Sequence, residues 1–106
     1  MTTFEERERA FENKFKHDEE LLFKIQVRRA KLLGLWAADQ MKFEKPEADA
    51  YARAIVDADF EEAGPADIVR RVCTDLERHG IDISRHRVEK EAEQLLQVAR
   101  QQITTQ

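Results

Sequence analysis

Four consecutive residues of this chain carry side chains that could hold an anion, and they stand at the predicted start of a helix. The free backbone N–H groups of a helix N-terminus, together with arginine side chains, can bind a phosphate group or an acidic side chain. Cations are unusual at this end because the helix dipole disfavours them there. The residues of this candidate nucleotide- or anion-binding site are Ser84, Arg85, His86 and Arg87.

An ordinary alternative exists for the same cluster, since charged groups on exposed faces commonly pair with their neighbours. The acidic residues within reach along the chain are Asp82, Glu89 and Glu91. We expect surface pairing to be the main role of the cluster. An adenine nucleotide bound there is a hypothesis.

Signs of catalysis are missing from the sequence. It contains neither G-x-x-x-x-G-K-[S/T] nor G-x-G-x-x-G, and its three glycines lie far apart. His17, His79 and His86 lack the close spacing to each other or to Cys73 that metal ligands need. Cys73 falls on a predicted apolar stripe, which favours a place in the core. We therefore expect no enzyme activity, no metal and no cofactor, with ATP or ADP at most as a regulatory ligand.

Composition sets the broad class. A chain of 106 residues makes one domain, and its 38% charged residues with only three Gly and two Pro predict long helices with few tight turns. A net charge of −4 gives no general attraction for nucleic acid or for anionic membranes. With one cysteine, no signal-peptide pattern and no long apolar run, we expect a cytoplasmic protein that does not enter the membrane.

Caps and breakers divide most of the chain into helices. These run from Asp18 to about Lys42, from Pro46 to just before Gly64, from Pro65 to His79-Gly80, and from the N-cap Ser84 towards Ile103. The expected fold is all-α: a small antiparallel four-helix bundle over residues 18–106, with a mobile, marginally helical N-terminal arm over residues 1–17.

The first predicted helix carries two apolar stripes instead of one, which indicates a central helix with partners on more than one side. Leu22 belongs to one of these stripes and Phe23 to the other, and Phe60 belongs to the stripe of the second helix. Gly34 within the first helix costs about 1 kcal/mol relative to alanine, so we expect a close helix crossing there.

The arm has an apolar stripe of its own, since Phe4, Phe11 and Phe15 share one helical face. Eleven of the seventeen residues from Phe4 to Glu20 are charged, which makes a marginal helix in isolation. The stripe could fold back over Leu21 and Phe23, or it could be a recognition helix for another protein. Physical reasoning from the residues alone leaves both alternatives open.

Three stretches carry a resemblance to a known family. FENKFKHDEELLFKIQVRRAKLLGLWAA, from Phe11 to Ala38, resembles the ζ subunit family of α-proteobacterial F1FO-ATP synthases. The later stretches DADFEEAGPADIVRR and DLERHGIDISRHR are similar to that family's second half. The resemblance spans nearly the whole chain and is least diagnostic between Met41 and Asp49. It implies a small inhibitor of the synthase's ATPase activity.

The resemblance also implies a mechanism, in which the N-terminal segment acts as a wedge in the F1 sector. The N-terminal segment of this family enters the F1 sector at an α/β interface, reaches towards the γ shaft and folds there as a helix that blocks rotation in the hydrolysis direction. The implied inhibitory part of this chain is about Met1 to Lys16, and the bundle stays outside as the anchor. The implied partners are the α, β and γ subunits, which would hold the protein at the inner membrane through the F1 sector; the free protein is expected to be a monomer.

The residues expected to bind the partner divide by chemistry. Phe4, Phe11 and Phe15 are the expected apolar anchors. The charged residues expected to fix the position of the helix along its binding site are Glu5, Arg7, Glu8, Arg9, Glu12 and Lys14. Two other function classes remain: a nucleotide-sensing helical module that uses Ser84–Arg87 or the Arg28-Arg29-Lys31 cluster, and an assembly factor that uses the outer face of the bundle.

Overall fold

The computed structural model describes the backbone of residues 3–61 and 65–105, and the side chains of residues 16–61 and 66–105. Four α-helices fill these ranges. They are α1 (Thr3–Gln40), α2 (Lys45–Glu61), α3 (Pro65–Arg78) and α4 (Arg85–Thr104). The predicted all-α, four-helix architecture is confirmed. None of the helices in the described ranges combines the length and apolar content that crossing a membrane requires.

Local signals at two helix ends are confirmed. Gly80 adopts a left-handed φ of 70° after α3, and the Ile81 N–H donates to the Leu76 carbonyl at 2.9 Å, which closes the helix as a Schellman motif does. The Ser84 Oγ accepts a hydrogen bond from the Arg87 N–H at 3.1 Å and so caps the start of α4.

The predicted start of the first helix at Asp18 is wrong. The helix begins at Thr3 and continues through Asp18 to Gln40. Asp18 is a cap signal, but extending an existing helix adds a hydrogen bond for each residue fixed and needs no new nucleus. Since no glycine or proline precedes Gly34, nothing in the sequence interrupts this extension. The division into an arm of residues 1–17 and a bundle of residues 18–106 stays a prediction.

The long α1 is the centre of the fold, as its two apolar stripes predicted, because it contacts α2, α3 and α4. Among its side chains from Lys16 onward, the first buried one is Ile25, and those from Lys16 to Glu20 are all exposed. The largest fully buried side chains of the core are Leu33, Ile55, Ile68, Val72, Leu76 and Val88. The described part of α1 that precedes Leu21 therefore projects beyond the core.

The close crossing predicted at Gly34 is also confirmed, and its partner is α2. A Cβ atom built on Gly34 would lie 2.7 Å from the Ala52 Cα and 3.3 Å from the Ile55 Cγ1. No side chain fits between the two backbones at this point. The crossing therefore fixes how closely α1 and α2 approach.

A partly buried polar contact joins α2 to α3. The Tyr51 hydroxyl donates to the Asp75 Oδ2 at 2.7 Å, and the same oxygen accepts from the Arg71 Nε at 3.1 Å. Burial raises the pKa of Tyr51, and the hydrogen bond and negative charge of Asp75 raise it further. The phenol is therefore held in its protonated form.

Removing this hydroxyl gives a testable change in stability. We expect Tyr51→Phe to lower the free energy of unfolding by about 2 kcal/mol at pH 7, because a hydrogen bond to a charged group is lost. Folding raises the pKa of Tyr51, so this contribution is fully present below about pH 10, the pKa of an unfolded tyrosine, and declines as the pH rises above it. Urea unfolding of both proteins from pH 7 to pH 11.5 measures the difference.

The absorbance of phenolate provides the control, since Tyr51 is the only tyrosine of the chain. The folded protein should show no phenolate signal at pH 10, where the unfolded chain is half ionised. A stability difference that stays constant up to pH 11.5 would contradict the assignment.

Candidate functional site

The predicted partner-binding residues lie on the first half of α1. Their side chains fall outside the residues whose side chains the structure describes; these residues are Phe4, Glu5, Arg7, Glu8, Arg9, Phe11, Glu12, Lys14 and Phe15. The backbone from Thr3 onward is helical. At about 100° per residue, positions 4, 11 and 15 fall within about 40° of each other on one face.

Leu22 extends this face into the described part of the chain, which corrects the prediction that it belongs to a core-facing stripe. It lies seven residues after Phe15, so a continuous helix places it on the same side as the phenylalanine positions. Its side chain is 49% exposed. The signal was present in the seven-residue spacing, but Asp18 was treated as a break between two helices.

A second exposed apolar feature lies where α1 and α2 diverge. Phe23 and Phe60 contact each other with ring centroids 5.6 Å apart, yet they are 52% and 58% exposed. The prediction that both belong to core-facing stripes is therefore corrected: they pair at the edge of the bundle. The reason is that burial among the described side chains of α1 begins only two residues further on, at Ile25.

This aromatic pair stands at one end of a groove of about 760 Å³ between α1 and α2, which we call the α1–α2 groove. Val27 and Val56 contribute apolar surface to its floor. Its charged lining consists of Lys24, Arg28, Lys31, Lys45, Arg53 and a single carboxylate, Asp49. The groove is thus strongly basic in a chain whose net charge is −4.

The predicted basic cluster of Arg28, Arg29 and Lys31 is divided by the fold. Arg28 and Lys31 line the α1–α2 groove, and the Arg28 Nη1 donates to the Gln102 Oε1 at 2.8 Å. Arg29 is buried instead, at 7% exposure, and its Nε has no hydrogen-bond partner among the described residues. Burial lowers the pKa of Arg29, and the nearby Asp59 partly offsets this shift.

The Ser84–Arg87 cluster is exposed and partly paired. The Arg85 Nε lies 3.1 Å from the Glu89 Oε1, and the Arg87 Nη2 lies 3.6 Å from the Glu91 Oε1. These are two of the acidic partners that the sequence offered, and both contacts are the i,i+4 pairs typical of a helix surface. Binding of a nucleotide at this cluster stays a hypothesis.

Arg87 has a further contact that the sequence did not indicate. Its guanidinium carbon lies 5.6 Å from the centroid of the Trp36 ring, which is within the range of a cation–π interaction. The contact connects α4 to α1. Arg87 therefore has a structural role in addition to its ion pair.

Few other reactive or metal-binding side chains stand out in the described ranges. The Cys73 thiol is half-buried and packs against the core, and burial raises its pKa. The predicted core role of Cys73 is therefore correct. In residues 16–61 and 66–105, His, Cys, Asp and Glu side chains form no group of three or more that could hold a metal ion.

Comparison with known proteins adds to this description. The family model for ATPase inhibitor subunit zeta matches residues 1–102. A protein with a solution NMR structure is 41% identical over 78% of this chain and 94% of its own, and the two folds superpose with a TM-score of 0.69. No curated protein matches the chain. The family match covers the long α1 and the other three helices together, and the chain therefore belongs to the ATPase inhibitor subunit zeta family.

Proposed function

We propose that this protein inhibits ATP hydrolysis by the F1 sector of an ATP synthase by inserting the N-terminal part of α1 at an α/β interface. Membership of an inhibitor subunit family supports the proposal. The observation that carries it is the course of α1, which runs without interruption from Thr3 and whose described side chains before Leu21 are all exposed. The chain acts as a ligand in this proposal and needs no catalytic residue or cofactor of its own.

The length of α1 suits a wedge. The eighteen residues from Thr3 to Glu20 extend about 27 Å at 1.5 Å per residue, enough to enter a deep cleft. We infer that the tip reaches towards the γ subunit and blocks its rotation in the hydrolysis direction. Because α1 continues as a helix into this segment, insertion requires less ordering than the folding of an unstructured arm.

The binding chemistry follows from the residue types along this segment. Phe4, Phe11 and Phe15 are the proposed anchors, and each can contribute about 1.5–3 kcal/mol when it is fully covered. Leu22 extends the same face and is available for contact at the mouth of the cleft. The charged residues between the anchors set the orientation of the helix, because opposite charges across an interface favour one register.

The proposed partners are the α, β and γ subunits. In this proposal the bundle remains outside the cleft, since the first described side chain of its core is Ile25. The protein would then reside at the membrane surface only through the F1 sector.

One substitution tests the anchors. We expect Phe11→Ala to raise the concentration for half-maximal inhibition of ATP hydrolysis by about tenfold or more, since about 1.4 kcal/mol corresponds to a factor of ten. The melting temperature of the bundle should change little, because position 11 lies well before Ile25, the first buried residue of α1 among those with described side chains. The measurement is ATP hydrolysis by purified cognate F1 over a range of inhibitor concentrations.

Val98→Ala is the matched control. Val98 is 40% exposed on α4, outside the arm and the groove, so its loss should leave inhibition unchanged. Wild-type inhibition by the Phe11→Ala protein would contradict the proposal. A large fall in its melting temperature would instead support an arm that folds back on the bundle.

A further inference from the structure

We infer that the α1–α2 groove is a second docking surface on the ATP synthase, and that it takes an acidic segment of the partner that carries at least one apolar side chain. This inference rests on the proposed function, because it adds an anchor to the same complex. It concerns residues well outside the proposed inhibitory segment of Met1 to Lys16.

Unbalanced charge is the first observation. Five cationic side chains and one carboxylate line the groove. The four ion pairs among the described side chains all lie within α3 or α4, on other faces of the bundle. Arg28 has a neutral partner in Gln102, which leaves its charge uncompensated. The cationic side chains of the groove therefore repel one another, and an acidic partner would offset that repulsion.

The exposed aromatic pair is the second observation. Phe23 and Phe60 leave more than half of their surface uncovered, although their rings contact each other. Exposed apolar groups that are next to each other and rimmed by charge are typical of protein contact sites. An aliphatic or aromatic side chain of the partner can cover the two rings while its carboxylates meet the lysines and arginines.

The shape of the site favours a polypeptide segment as the occupant. An anionic bilayer presents a broad surface, whereas this site is a concave groove of about 760 Å³ between two crossing helices. Val27 and Val56 on its floor are half-buried, whereas four of its five cationic side chains are exposed. A single polypeptide segment can place an apolar side chain on this floor and carboxylates on the rim.

The position of the groove along α1 connects it with the inhibitory segment. Phe23 lies seven residues after Lys16, which is about 10 Å along the helix axis. A helix inserted as far as Lys16 would bring the groove to the surface of F1 beside the mouth of the cleft. Two linked contacts bind more tightly than either alone, because the second forms within the complex.

Charge reversal in the full-length protein tests the inference. In the double variant Lys31→Glu with Arg53→Glu, we expect the Kd for purified cognate F1 to rise about tenfold or more at low salt. The difference should shrink at 0.5 M salt, where surface charges are screened. Inhibition at saturating concentration should stay complete, because the arm is intact. The milder pair Lys31→Gln with Arg53→Gln should show the same trend with a smaller shift.

The matched control is Lys90→Glu with Arg100→Glu, which changes the net charge equally on exposed positions of α4. Equal affinities of the groove and control variants at low salt would overturn the inference and leave the proposed inhibition standing. A wild-type protein that binds through the groove without inhibiting would support the groove and refute the inhibitory role. A dimer of the free protein that the groove variant abolishes would assign the groove to a second copy and overturn the inference.

Discussion

Removal of residues 1–16 is expected to abolish inhibition of ATP hydrolysis while the bundle keeps its fold. The deletion takes away all three phenylalanine anchors and the first fourteen residues of α1, which is about 21 Å of helix, so nothing remains to reach into the cleft. It removes no described buried residue, since burial along α1 begins at Ile25. The shortened α1 still has 24 residues, from His17 to Gln40, and they keep their contacts with the other helices.

The measurement compares the full and shortened proteins in ATP hydrolysis by purified cognate F1, with circular dichroism as the check on folding. A full-length protein with alanine at positions 4, 11 and 15 is the matched control. It keeps the length and the charge of the arm and raises its helix propensity, so a loss of inhibition in this control identifies the apolar anchors as the cause.

The same deletion separates the other function classes. A nucleotide-sensing module that uses Ser84–Arg87, or an assembly factor that uses the outer face of the bundle, would keep its activity without the arm. Inhibition by the shortened protein at the wild-type concentration would therefore refute the wedge. Retained nucleotide binding without inhibition would leave the wedge intact and add a regulatory ligand.

The parts of the fold that depend on interactions between residues close in the chain could be predicted from the sequence. Ser84 and Gly80 act through hydrogen bonds within a few residues, and both helix ends were predicted correctly. Asp18 misled because a good cap residue does not stop a helix that can be extended on both sides. A cap signal predicts a helix start only where the preceding residues cannot be helical.

The α1–α2 groove was missed because its causes are not local. Lys24, Arg28 and Lys31 follow helical spacing on α1, whereas Lys45 and Arg53 lie on α2. Only the crossing of the two helices brings them together. An apolar pattern shows which side of a helix tends to be buried, but it does not show at which residue the neighbouring helices end. For this reason Phe23 and Phe60 were expected in the core.

The crossing itself leads to the second large effect, which is on stability. We expect Gly34→Val to lower the free energy of unfolding by about 3 kcal/mol, because its Cβ alone would lie 2.7 Å from the Ala52 Cα. That neighbour is backbone, so it cannot rotate away, and α1 and α2 must separate. Gly34→Ala should cost less, because alanine recovers about 1 kcal/mol of helix propensity.

Gly80→Ala is the control for replacing a glycine. No atom lies within 4 Å of the added methyl group there, so its cost of about 1 kcal/mol comes from the left-handed backbone alone. Urea unfolding of the three variants measures the series. Wild-type stability of Gly34→Val would show that the two helices can slide apart freely.

Adding Ala52→Gly to Gly34→Ala distinguishes the two sources of crowding. If the Ala52 side chain were the obstacle, its removal would restore stability. The closest atom is the Ala52 Cα, however, and the Cβ is further away at 3.3 Å. We therefore expect little or no rescue, and a further loss of up to about 1 kcal/mol from the new glycine in α2. Because this crossing sets the spacing of α1 and α2, the same substitutions should also weaken binding through the α1–α2 groove, whereas Gly80→Ala should not.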